Sequence, residues 1–301
     1  MPVLDNIAGM KNAANVAVFD ADDLTEEVFL GVHVANSRPC LVKGAIRHWP
    51  AMKNWRNPDY LKDRCGHHNV FFYPHENHVT PDRMLPGRTA MNFARAIDCL
   101  HGEETEVGTL GLPGELSALR TDLGRFAFFS RAEPALLVPP ARQFVYRNAG
   151  TAWHYHAFDE TFMCQAVGSK KVGLLSTDNP SNKALCDIFF REDYYDDPLV
   201  FDALEGAALE WFSADLEEGD ALYIPPLWWH GVSTTSPSFG MTVAVTWRSP
   251  LPVIAAALRR MAASDIKLLG YAEPMDISAL RETARQLGLE KELSVALQQA
   301  A

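Results

Sequence analysis

The sequence predicts a mainly β protein, an antiparallel sandwich or barrel, entered through mixed helix and strand and followed by a helical tail. Two observations carry that prediction. Between residues 140 and 250, short strand-like runs at 143–146, 161–167, 171–175, 221–224 and 241–247 are divided by turn formers at close intervals, the pattern of an antiparallel sandwich or barrel. On either side of this stretch the apolar residues change to helical spacing or to a mixture of the two.

Taken in order, residues 20–30 carry acidic residues early and apolar ones at helical spacing, a short helix with an N-terminal cap. Arg38-Pro39 opens a buried-strand pattern at 40–44 that ends on Gly44. Trp49-Pro50-Ala51, Trp55 and Tyr60-Leu61 suggest turn and helix, with the two tryptophans as packing residues. A second strand follows at 70–73, then an amphipathic helix at 91–100. Residues 101–125 are rich in glycine and charge, as in a loop or insertion. After the β-rich stretch, Pro252 precedes an alanine- and leucine-rich run at 253–263. Ile277, Leu280, Ala284 and Leu287 then keep helical spacing up to Gly288. A chain of 301 residues matches about two average domains, but β-barrel and sandwich domains are often large. The expectation is one domain over 1–250, N-terminal extension included, and a helical region over 251–301 that could pack on the barrel or on a second subunit as a homodimer.

Composition narrows the function classes. Hydrophobic residues make up 48% of the chain and charged ones 22%, a globular mixture that excludes intrinsic disorder. The formal charge is −11, from 27 Lys+Arg against 38 Asp+Glu. With no basic stripe, bulk nucleic-acid binding is not expected. The five cysteines (Cys40, Cys65, Cys99, Cys164, Cys186) form no close pair, so free thiols in a reducing cytoplasm are expected. The first twenty residues lack a signal-peptide core, and no apolar run approaches the ~20 residues of a membrane span.

The densest chemistry lies at His154-x-His156-x-x-x-Glu160. On a strand, His154 and His156 project to one face about 7 Å apart, and Glu160 has the same parity. His230 sits in a second segment, after the Gly219-Asp220 turn and the strand at 221–224. Three histidines and a carboxylate converging in a barrel would suit iron, manganese, nickel, copper or zinc. The remaining histidines, among them His67, His68, His75 and His78, are expected to be surface or satisfied polar residues.

His154-x-His156-x-x-x-Glu160, with Gly168 beyond it, resembles the first cupin motif. Gly219-(x5)-Pro225-x-Leu227-x-x-His230 resembles the second, with Leu227 where many cupins have glycine. The segment around His230 is similar to the one that carries the last metal-binding histidine in JmjC-type oxygenases. Arg38 to Ala51, with Trp55 and Tyr60-Leu61, resembles the opening of the JmjC-like cupin hydroxylases, a group that includes the asparaginyl hydroxylase of hypoxia-inducible factor. Gly168-Ser169-Lys170-Lys171-Val172 is similar to their G-x-K-R strand. The resemblance covers roughly residues 25–250.

It implies a double-stranded β-helix, the cupin or jelly-roll form of the predicted β fold. It also implies an oxygenase that binds Fe(II), or another divalent metal, with 2-oxoglutarate as co-substrate, and hydroxylates or demethylates a substrate with O2. By residue, His154 matches the first metal ligand and His230 the last. Thr151 matches the hydroxyl that contacts the 2-oxoglutarate carboxylate, and Lys170 matches the lysine that pairs with it. An ammonium and a hydroxyl at one barrel end suit a dianion on electrostatic grounds.

The chain departs from the family at His156, where relatives have Asp or Glu. Glu160, six residues after the first histidine, could restore the carboxylate, and Asp159 is its rival through a slip of one residue. The reading is a metal-dependent oxygenase, a Fe(II)/2-oxoglutarate-dependent hydroxylase of a protein, peptide or small molecule. Beside it stand a three-His cupin dioxygenase or isomerase that does not use 2-oxoglutarate, and a catalytically silent metal-binding cupin.

Overall fold

A computed structural model describes residues 10–74, 77–78, 89–102, 105–112, 116–130, 141–154, 156, 159–176, 210–226 and 228–249. The N-terminal part supplies β1 (Ala14–Asn15), β2 (Ala17–Asp20), α1 (Glu26–Val28), which runs on as a π-helical turn over Phe29–Val34, and β3 (Cys40–Lys43). Next come α2 (Ala51–Asn54), α3 (Pro58–Cys65), β4 (Asn69–Tyr73), β5 (Asn77–His78), β6 (Thr89–Asn92), α4 (Phe93–His101) and β7 (Gly108–Gly111). The β-rich half contains β8 (Ala141–Arg147), β9 (Gly150–His154), β10 (Asp159–Val167) and β11 (Lys170–Ser176). It closes with β12 (Phe212–Leu216), β13 (Ala221–Ile224), β14 (Trp228–Thr234) and β15 (Phe239–Arg248).

These strands form two sheets. A six-stranded sheet has the order β1-β12-β11-β14-β9-β5, and a nine-stranded sheet the order β2-β3-β13-β10-β15-β8-β7-β4-β6. Consecutive strands repeatedly fall in opposite sheets, as a jelly roll requires. Val172, Leu174, Leu216 and Val232 of the smaller sheet share one buried cluster with Leu41, Leu222 and Ile224 of the larger. That cluster is the filling between the sheets.

The outer face of the larger sheet carries a second and larger core. Phe162, Tyr223 and Trp247 pack there against Phe29, Phe126, Phe128 and Phe129, and the same cluster includes Trp55, Leu61 and Ile97 from the helical layer. Strands β10 and β13 are therefore covered on both faces. This explains why 161–167 and 221–224 have almost no polar alternation.

Local chemistry sets the element ends. Asn57 caps α3 by accepting from the Asp59 and Tyr60 amides, with Pro58 opening the helix. Asn92 caps α4 through the Arg95 amide. The helix expected at 20–30 starts later: Asp20 accepts from the Asp22 amide in a turn, and Thr25 then caps α1. A side-chain-to-backbone bond of this kind competes with helix formation. The supposed loop at 101–125 contains β7, paired with β4 and β8, and a 3-10 turn over Ser117–Asp122. There, pairing with a strand on each side overrides weak local propensity. The expected helical region 251–301, and with it the proposed domain division and dimer contact, lies outside the described residues.

Two glycines make tight returns. Gly168, at φ +83, links β10 to β11, and Gly219, at φ +97, precedes β13; both occupy the left-handed region that suits glycine. Asp220 beside Gly219 is buried and accepts from Lys43 Nζ at 2.5 Å and from the Gly44 and Glu217 amides at 3.0 Å. This carboxylate ties the turn that leads to His230 onto β3.

Candidate metal centre

Strand pairing brings two of the predicted residues together. In the smaller sheet β9 and β14 are antiparallel neighbours, with His154 directly opposite His230. Val232 pairs with Thr151, so three residues of β9 span two of β14, a β-bulge. Cross-strand partners share a face. Thr151 and His154 therefore face the same way despite their odd separation.

His156 lies just beyond β9 and completes the group. Ring centroids are 4.1 Å apart for His154–His230, 4.9 Å for His156–His230 and 5.4 Å for His154–His156. One ring nitrogen from each lies within 4.8 Å of the others. His230 is fully buried, and its Nδ1 donates to the Trp228 carbonyl at 2.9 Å. Its Nε2 is buried without a hydrogen-bond partner among the described residues. An orphaned lone pair facing two other imidazoles is the arrangement a cation would satisfy.

Burial holds His156 and His230 well below the ordinary histidine range. The neighbouring imidazoles of the cluster and the charge of Arg142 push them the same way. The rings are thus neutral near pH 7, which is the ligating form. Three imidazoles fit a borderline divalent transition metal.

Glu160 does not join them. Parity along β10 decides this, since Thr161 faces His156 with 2.8 Å between Oγ1 and Nδ1, whereas Glu160 faces the outer core. Its carboxylate accepts from Tyr223 Oη at 2.6 Å and from the Ser249 hydroxyl. The shared parity of residues 154, 156 and 160 has no consequence, because His154 and Glu160 belong to strands of different sheets. Asp159 has the inner parity, but among the described residues the group of mutually close ligand atoms consists of the three histidines. Burial raises Glu160 to about 7.

Lys170 and Thr151 flank β14. Lys170 pairs with Thr234 and Thr151 with Val232, both displaced in the same direction along the strand from His230. Lys170 is buried, its Nζ is 4.1 Å from the centroid of the Tyr146 ring, and burial alone lowers it to about 7. Among the described residues no carboxylate lies within ion-pair distance of this ammonium. A buried cation without a counter-charge is costly unless an anion arrives. Tyr146 accepts from Gln165 Nε2 at 2.8 Å, and Gln165 Oε1 accepts from the Thr242 hydroxyl at 2.8 Å. Burial pushes Tyr146 up to about 12, so it remains a neutral phenol.

Tyr146, Gln165, Thr242 and Thr161 were not singled out from the sequence. Alternation along 142–146 and 161–165 was available as a signal, but which parity faces inward depends on the partner sheet. Trp228 and Trp229 are both buried, in keeping with packing. Cys40, Cys65, Cys99 and Cys164 are free thiols, and Cys186 lies outside the described residues. Among the described residues no helix is long and apolar enough to cross a membrane.

Residues 25–250 match the Cupin-like domain family. The chain is 23% identical over 262 residues to Jumonji C domain-containing protein 5 of Drosophila melanogaster, covering 80% of this chain and 62% of that protein. It is 26% identical over 237 residues to Lysine-specific demethylase JMJ30 of Arabidopsis thaliana, covering 74% and 53%. Over 107 residues it is 30% identical to the human Bifunctional peptidase and (3S)-lysyl hydroxylase JMJD7, covering 30% and 32%. The chain thus spans between half and two thirds of the length of the first two relatives.

Proposed function

The chain belongs to the Cupin-like domain family, and from that premise we propose that it is a metal-dependent oxygenase that uses Fe(II) and 2-oxoglutarate to hydroxylate a protein side chain or a small molecule. The observation that carries this reading is the meeting of His154, His156 and His230, with the Nε2 of His230 left unsatisfied. The names of the relatives, a lysine-specific demethylase and a lysyl hydroxylase among them, support an oxidative reaction on a protein substrate.

In this reading the three imidazoles hold the metal, and bound iron supplies the activation of O2. The protein does the rest. The Trp228 carbonyl fixes the tautomer of His230. Lys170 Nζ and the Thr151 hydroxyl hold the distal carboxylate of 2-oxoglutarate, while the phenol ring of Tyr146 shields the ammonium from water. Binding the dianion restores the charge that burial withholds from Lys170. Glu160 takes no part in the metal site.

A second reading, a three-His dioxygenase or isomerase in which the substrate itself chelates the metal, is favoured by one observation: the group of mutually close ligand atoms consists of three neutral imidazoles, leaving both charges of the metal uncompensated by the protein. Anaerobic Fe(II) titration separates the two. A visible metal-to-ligand charge-transfer band appearing with 2-oxoglutarate, and succinate formed on turnover, are expected of the first reading. A metal-loaded protein lacking both would leave the second. His230→Ala should weaken metal binding at least about 100-fold in a chelator competition, and unchanged stoichiometric binding would overturn the metal centre itself.

A further inference from the structure

We propose that Thr161 is a positioning residue for His156, holding through its hydroxyl the one imidazole of the three that lies past the end of β9. The proposal rests on the reading of the three histidines as a metal centre, and goes beyond it by assigning a function to a residue of the opposite sheet.

The three histidines are held in unequal ways. His154 and His230 face each other across a ladder, so their backbones fix where their rings begin. His230 is further pinned by a backbone carbonyl. His156 lies past the end of β9 and belongs to no strand. Among the described residues the polar group bound to its ring is Thr161 Oγ1, 2.8 Å from Nδ1.

Thr161 is well placed to act as an anchor. It is buried and lies within β10, paired on one side with Ile224 and on the other with Thr246. A β-branched side chain inside a sheet has a restricted χ1, so its hydroxyl direction is set in advance. For Nε2 to offer its lone pair to the cluster, Nδ1 must carry the proton and donate it to Oγ1. A threonine hydroxyl can accept or donate, unlike the Trp228 carbonyl, and in the accepting role proposed here it holds both the ring orientation and the Nδ1–H tautomer of His156. A carboxylate ligand would need no such tautomer selection.

The test uses the full chain and Co(II), whose visible absorption reports donor geometry. Thr161→Val removes the hydroxyl at nearly constant shape, and Thr161→Ser keeps it. The valine variant is expected to bind Co(II) about 10- to 100-fold more weakly in competition with a chromophoric chelator, with an altered d–d spectrum, and the serine variant to recover most of both. Unchanged affinity and spectrum in a valine variant that melts as a folded protein would overturn the proposal.

Nitrogen-15 correlation spectra of the metal-free protein give a second readout. His156 is expected as the Nδ1–H tautomer in the wild type and as a tautomer mixture in the valine variant. The same tautomer population in both would overturn the proposal. If the wild-type protein bound no Co(II), the metal centre would fail, while the tautomer spectra would still decide for or against Thr161.

Discussion

The two faces of β10 bury polar groups for opposite ends. On the inner face Thr161 and Gln165 point into the barrel, toward His156 and Tyr146. On the outer face Glu160, Phe162 and Cys164 pack against the aromatic layer. Burial pushes Glu160 up to about 7 and brings Lys170, in the barrel interior, down to about 7. Glu160 is nonetheless satisfied from within the protein, by two hydroxyls. Lys170 has an aromatic ring beside it and no carboxylate among the described residues. On the proposed reading the difference separates a structural polar group from a binding one: the protein completes the first and would leave the second for a ligand.

The largest expected effect falls on the outer face. Phe162 is fully buried and contacts Phe29, Phe126, Tyr223 and Trp247. Phe162→Ala should destabilise the fold by about 3–5 kcal/mol in denaturant unfolding. The fraction that remains folded should keep wild-type metal affinity, and a selective loss of metal would break the division between the faces.

Next in size is the charge on Glu160. Its raised pKa means that the folded state holds the proton more tightly than the unfolded chain. The stability this confers is complete below about 4.5 and is lost as the pH rises through about 7. The cost of ionisation is at most about 3 kcal/mol. Glu160→Gln should flatten the decline in stability between pH 5 and pH 8, without changing metal affinity. An unchanged decline would show that Glu160 is not its source.

Lys170 sharpens the comparison from the other side, with the smallest effect. Above about pH 7 the free ammonium loses its proton, and an arriving dianion must restore it. Affinity for 2-oxoglutarate in the metal-loaded protein should therefore fall with rising pH above 7, by up to about tenfold per unit. Lys170→Met should weaken that affinity about 10- to 100-fold and remove the pH dependence. Calorimetric titration showing equal affinities and equal pH profiles would exclude Lys170 from the co-substrate site.

Much of this architecture could be read in advance because its signals are local. Five of the strands were visible as apolar runs between turn formers, and the motif around His154 and His230 carried its own spacing. β7 was missed because Gly108 to Gly111 has little strand propensity of its own and exists by pairing with β4 and β8. The outward placing of Glu160 is not legible for a related reason: parity counted along the chain has no meaning once the chain has crossed from one sheet to the other.

The sequence by itself determined the kind of fold, the family and the histidines, since residue type, spacing and alternation are properties of the linear chain. Tertiary structure alone decided which residues meet. The bulge that aligns Thr151 with His154, the placing of Thr161 against His156, and the withdrawal of Glu160 to Tyr223 and Ser249 all depend on register between strands. Register is a long-range quantity. It is set by how two sheets pack their side chains against each other, and a shift of one residue reverses every face.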